Sequence, residues 1–82
     1  VPILVPHAEL AALLGATHVR LEARTLGELL GEVERRVGAE AWARARRALV
    51  LVNGRAAHHL GGPRARLSAD DEVWLVLPSA GG

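Results

Sequence analysis

One segment of this 82-residue chain reads as a long helix, and everything else has to be arranged around it. Thr25 and Glu28 have the spacing of a capping box, in which each side chain satisfies the other residue's free backbone N–H. Leu26, Leu29, Leu30, Val33 and Val37 then recur on one face at helical spacing. Glu32 and Arg36 stand four apart on the opposite face in the favourable order, and Gly38 supplies a stop. A chain of this size buries only about 60–65% of its unfolded surface, so it builds one domain with a modest core. One such helix covers one face of a sheet and no more.

The flanking segments read as strands. Ile3-Leu4-Val5 is a short one ended by Pro6, and His7 to Leu14 offers Leu10, Leu13 and Leu14 for a short helix stopped by Gly15. His18 to Ala23 alternates polar with apolar, which predicts a half-buried strand with Val19, Leu21 and Ala23 inward. After the main helix, Glu40 to Arg47 predicts a second helical stretch with Trp42 and Ala45 turned inward. Ala48 to Val52 is a continuous aliphatic run followed by Asn53-Gly54, a strong hairpin signal because both residues tolerate positive φ. The return strand, Arg55 to Ala57, is short, and Leu60-Gly61-Gly62-Pro63 reads as loop. Asp70-Asp71 is a turn before the last strand, Val73 to Leu77.

The runs Ala48–Val52 and Val73–Leu77 are expected in the middle of the sheet, buried on both faces, with the alternating strand nearer an edge. The order predicts an α+β protein of the β-grasp, ubiquitin-like type: a mixed sheet of four to five strands with one main helix packed on one face. Its first and last strands lie parallel at the centre, joined through a crossover. Residues 1–77 form this domain, and 78–82 form a flexible tail ending in Gly81-Gly82.

Composition removes several functions. The chain has no cysteine, which excludes disulfides, thiolate metal sites and a cysteine nucleophile. Trp42 and Trp74 are its only Phe, Trp or Tyr residues, which leaves little room for a base-stacking platform. The ten basic residues are all Arg, interspersed with acids to a net charge of +1, which argues against nucleic acid. The apolar start lacks a basic region and is interrupted by Pro2 and Pro6, unlike a signal peptide, and no apolar run is of membrane-spanning length. A cytoplasmic protein is expected, with an initiator Met removed or the sequence trimmed ahead of Val1. His58 and His59 are adjacent, point oppositely in a strand and hold no metal together. Asp70, Asp71 and Glu72 read as an acidic turn, with Glu72 available to a basic partner, and Arg44, Arg46 and Arg47 as a solvated face. No catalytic constellation and no phosphate loop is present.

Three pieces together resemble the MoaD/ThiS family of sulfur carriers: Thr25-Leu26-Gly27-Glu28-Leu29-Leu30, Val50-Leu51-Val52-Asn53-Gly54-Arg55, and the end from Leu67 to Gly82. The last looks like the family's acidic turn, final strand and Pro-x-x-Gly-Gly tail. Pro78 before the last four residues looks most like the molybdopterin synthase small subunit. Two departures stand out. That branch's aromatic-rich first strand is here Ile3-Leu4-Val5-Pro6-His7, and the family's acidic turn usually has Gly where Asp71 stands.

The resemblance implies that Gly82 is adenylated and converted to a thiocarboxylate, with Gly81 beside it. The work is done by an adenylating activating enzyme of MoeB/ThiF type, which uses ATP; the carrier itself binds no cofactor and no metal and is not an enzyme on its own. The sulfur then passes to the large subunit of molybdopterin synthase, or to an acceptor for cysteine, thiamine or tRNA thiolation. A modifier joined to proteins through Gly82 and an interaction module with an idle tail are the other readings. Five residues from Pro78 reach roughly 16–18 Å when extended, enough to deliver the last carbon into a narrow channel. Gly81 and Gly82 lack Cβ atoms, so an enzyme can approach the backbone closely, and Pro78 stiffens the exit. Pro78, Ser79 and Ala80 are expected to line that channel contact. Trp74 and Val76 point away from Val73, Leu75 and Leu77, and with the face the helix leaves uncovered they are expected to dock partner enzymes.

Overall fold

The computed structural model describes residues 1–77. Its elements are β1 (Ile3–Val5), α1 (Ala8–Leu14), β2 (Val19–Arg20), α2 (Leu26–Val37), α3 (Ala39–Ala45), β3 (Leu49–Val52), β4 (Arg55–Ala56) and β5 (Glu72–Val76). Two short 3-10 turns, Ala57–Leu60 and Gly62–Arg64, occupy the stretch after β4. The sheet order is β2-β1-β5-β3-β4. β1 and β5 lie parallel at its centre, Leu4 beside Val73, as the element order predicts. β3 runs antiparallel to β5, and β2 forms one edge.

The main helix starts where its cap requires. Thr25 is extended, and its Oγ1 accepts from the Glu28 N–H at 3.2 Å. The return half of the capping box, from the Glu28 side chain to the Thr25 N–H, does not form; the Leu26 N–H separately donates to the Ala65 carbonyl at 2.9 Å. Leu26, Leu29 and Val33 are buried, with Leu30 and Val37 half-buried beside them. They pack on Leu4, Leu21, Val73 and Leu75 from the inner sheet face and on Leu10 of α1. Full burial of each such side chain contributes about 1.5–3 kcal/mol, so this cluster supplies most of the fold's stabilisation. Trp42 packs against the same cluster and Ala45 is buried within it, as expected of the second helical stretch.

The structure corrects several expectations. The strand expected over His18 to Ala23 is only Val19–Arg20. Its partner β1 is itself short, and Pro2, which has no N–H, can only accept, taking the Leu21 N–H at 3.1 Å. The inward alternation survives: Val19 and Ala23 are half-buried and Leu21 is buried. In α1, Leu10 is buried, but Leu13 points to solvent because the seven-residue helix meets the core along a narrow line. The last strand begins at Glu72 and ends at Val76. The largest correction concerns burial on both faces. β3 and β5 are interior strands, but among the described residues the core cluster packs on one side of them, and Leu49, Trp74 and Val76 on the other side are exposed.

Candidate functional site

The outer sheet face follows from the register. Leu51 lies opposite Trp74 and Leu49 opposite Val76, while Val5 of β1 flanks Trp74 on the other side. Side chains directly opposite in a ladder share a face, so these residues form one apolar strip across three strands. Trp74 is 41% exposed, Val76 38% and Leu49 47%. The indole Nε1 of Trp74 donates to the Glu72 Oε1 at 2.9 Å, two residues back on the same face. This bond fixes the ring along the strand, and Val5 beside it is buried although it belongs to the outer face. Trp74 thus points where the sequence places it. Trp42 does not cover the strip, because it packs on the core.

The start of β5 is held by a clasp that the sequence reading missed. Asn53 N–H donates to the Glu72 carbonyl at 2.8 Å, and Glu72 N–H donates to Asn53 Oδ1 at 2.9 Å. Asn53 Nδ2 donates to Asp71 Oδ1 at 2.9 Å, and Ser68 N–H donates to Asp71 Oδ2 at 2.6 Å. The β3–β4 turn and the acidic turn are therefore tied together. The available signal was Asn rather than Gly at the first turn position, which retains a side chain able to reach across. The left-handed residue of the acidic turn is Asp70, at φ +68°, whereas Asp71 uses its side chain in the clasp. With both Asp71 oxygens accepting N–H groups, the turn is structural. Among the described residues, no group of three His, Cys, Asp or Glu is placed to hold a metal ion.

Other marked residues fall into place. His58 and His59 sit on a 3-10 turn rather than a strand, so their rings do not point oppositely but meet edge to face, with centroids 4.1 Å apart. Arg44 is exposed but pairs with Glu9 at 3.1 Å, linking α3 to α1. Glu32 bonds to both Arg35 and Arg36, and these hydrogen bonds, Arg36 first, hold its carboxyl below the usual carboxylate value. No helix among the described residues is long and apolar enough to cross a membrane. Gly82, Gly81, Pro78, Ser79 and Ala80 lie outside the described residues. The structure shows what precedes them: β5, bonded on both sides, leaves the middle of the sheet at Val76 beside the apolar strip.

A five-strand mixed sheet with parallel first and last strands at its centre, one main helix across its inner face and a terminal Gly-Gly in its sequence define a ubiquitin-like protein of the β-grasp fold. The sequence pattern of the ThiS family matches residues 7–82. The chain belongs to that family of ubiquitin-like sulfur carriers. No protein in the curated set matches it. Solved structures agree on the fold. A chain of the Amycolatopsis orientalis BexX/CysO complex superposes with a TM-score of 0.82 at 24% identity, covering 100% of both chains. SAMP1 from Haloferax volcanii gives 0.72 at 24% identity, covering 99% of this chain and 98% of the other. A putative molybdopterin converting factor subunit 1 from Pyrococcus furiosus gives 0.63 at 18% identity, covering 95% and 97%.

Proposed function

We propose that this chain carries sulfur as a thiocarboxylate on Gly82. The observation behind the reading is the position of β5, which is anchored between two neighbours and runs from the middle of the sheet into the last residues. A carboxylate is a poor electrophile, so an adenylating partner of MoeB/ThiF type must act first. The Gly82 carboxylate oxygen attacks the α-phosphorus of ATP and pyrophosphate leaves. Sulfide delivered in the partner's site then attacks the acyl carbon, the new C–S bond replacing the C–O bond to AMP, which leaves as the C-terminal thiocarboxylate forms. The partner provides ATP, metal and electrostatic stabilisation, and the carrier binds no cofactor of its own. Trp74, Val76 and the strip around them dock the partner's surface, while Pro78, Ser79 and Ala80 thread its channel and Gly81 lets the enzyme close on the reacting carbon.

The sulfur acceptor in this proposal is the large subunit of molybdopterin synthase, on the strength of the Pro-x-x-Gly-Gly ending. A second reading, delivery to cysteine synthesis, is favoured by one observation: the fold superposes better on the BexX/CysO complex chain than on the putative molybdopterin converting factor. Incubation with ATP, a sulfur donor and the cognate activating enzyme tests the common step. The intact mass should change by one oxygen replaced with sulfur, located at Gly82 by fragmentation. An unmodified C-terminus under these conditions overturns the proposal. Presenting the thiocarboxylated chain to a molybdopterin synthase large subunit and to a cysteine synthase, and following which one consumes the sulfur, separates the two acceptors.

A further inference from the structure

The α2–β3 side of the molecule carries two adjoining cavities that the tail chemistry does not use. The first, about 310 Å³, is apolar, lined by Leu26 and Leu30 of α2, Leu49 and Val50 of β3, and Ala57 and Pro63. The second, about 540 Å³, is charged, lined by Arg24, Thr25, Glu28, Pro63, Arg64 and Arg66. Pro63 is the wall they share. Three guanidinium groups face one carboxylate in the second cavity. Among the described residues, none of these three arginines has an ion-pair partner; the salt bridges involve Arg35, Arg36 and Arg44.

The first cavity also borders an open strand edge. Asn53 N–H bonds to Glu72, so by the alternation of an antiparallel ladder Leu51 and Leu49 turn their backbone groups toward β5. Val52 and Val50 then turn theirs the other way. Val52 meets Arg55, but β4 stops at Ala56, and Ala57 bends into a 3-10 turn instead of continuing opposite Val50. The Leu51–Ala56 pairing turns the Val50 C=O toward the Ala57 N–H, while the Ala57 carbonyl is taken by the Gly61 N–H, so the Val50 N–H faces the groove with no strand beside it.

We propose that this side binds an extended peptide segment of a partner protein that carries an aliphatic residue next to a run of carboxylates. The aliphatic side chain fills the groove over Leu26 and Leu30, a peptide carbonyl accepts from the Val50 N–H, and the carboxylates enter the arginine cavity beyond Pro63. Charge complementarity selects this occupant. The chain's own residues 78–82 offer neither a large apolar side chain nor a side-chain carboxylate. A nucleic-acid phosphate would engage the arginines and leave the apolar groove and strand edge unused. The inference goes beyond the sulfur-carrier reading and does not rest on it.

An array of decapeptides holding Val, Ile or Leu beside zero to four Asp or Glu residues, in both orders, is probed with the full chain. The best binders are then titrated into the isotope-labelled chain. Selection of peptides containing both residue classes is expected, with amide shifts at Leu30, Val50 and Ala57. The exposed pair Arg64→Glu with Arg66→Glu should weaken binding by roughly tenfold or more, while Trp74→Ala leaves it unchanged. Absence of any selected peptide overturns the proposal. So does selection that ignores acidic residues, binding that survives the double arginine variant, or shifts centred on Trp74 and Val76. A melting curve of the double variant confirms that it is folded, and loss of peptide binding leaves thiocarboxylate formation at Gly82 as a separate measurement.

Discussion

The two faces of β5 differ more than their chemistry suggests. Val73 and Leu75 on the inner face are 0% and 2% exposed, whereas Trp74 and Val76 on the outer face are 41% and 38% exposed. All four are large side chains of mainly apolar surface. What separates them is the supply of covering elements: α1, α2 and α3 pack on one side, and no other helix among the described residues remains for the other. An apolar residue in an interior strand is therefore evidence of burial somewhere, either in the core or against another molecule. A strip of exposed aliphatic and indole surface across β1, β5 and β3 points to the second.

The strongest attempt to break this contrast removes one large side chain from each side. Leu29→Ala opens a cavity in the fully buried cluster and should cost about 2–5 kcal/mol. That is a large share of the roughly 4–12 kcal/mol expected for a domain of this length. Trp74→Ala should cost about 1 kcal/mol or less, because much of the ring already meets water. Its effect should fall on binding to the cognate activating enzyme. Denaturant titration of both variants, with binding measured in parallel, decides the matter. Equal stability losses would mean that the outer strip is core, and the docking role of Trp74 would go with it.

Legibility in the sequence tracked the range of the interactions involved. The start of α2, the Asn53-Gly54 hairpin and the parallel pairing of β1 with β5 were readable because capping, turn chemistry and element order act locally or through connectivity. Burial on both faces of β3 and β5 was misread because a continuous aliphatic run cannot show how many layers will cover it. The clasp joins Asn53 to Asp71, 18 residues apart, and the charged cavity joins Arg24 to Arg64 and Arg66. Neither pairing leaves a periodic trace. The direction of Trp74 was legible from alternation alone, whereas Gly81 and Gly82 were legible only through the resemblance of the tail.

Smaller changes ask whether β5 owes its place to packing or to the clasp. Asp71→Ala removes two acceptors and leaves Asn53 Nδ2 and Ser68 N–H to water. The expected loss is about 1–2 kcal/mol, smaller than for Leu29→Ala because the site is exposed. Hydrogen exchange should quicken at Glu72 and Asn53 and stay slow at Val73 and Leu75. Acceleration along the whole strand would show that the clasp, and not the inner face, holds it. Asp70→Gly acts in the opposite direction. At φ +68° an aspartate is strained where glycine is at ease, so this change should be neutral or stabilising by up to about 1 kcal/mol. A clear loss would mean that the Asp70 side chain contributes something its exposed position does not reveal.

The smallest effect comes from the outer side of α2, where Glu32 meets Arg35 and Arg36 opposite the buried leucines. Its carboxyl is held below the usual value of 4.5, chiefly by the hydrogen bond from Arg36 and then that from Arg35. A carboxylate with a lowered folded-state value binds protons less readily when folded than when unfolded. Its contribution is therefore complete above the ordinary carboxylate range and disappears as pH falls through the lowered value. Glu32→Gln should shift the melting temperature slightly at neutral pH, and the difference from the parent chain should vanish in acid. Because the pair is solvent-exposed, molar salt should remove most of the difference even at neutral pH. A loss that persists in high salt and in acid would place Glu32 in packing rather than in charge pairing, and would extend the core around a helix face that here belongs to water.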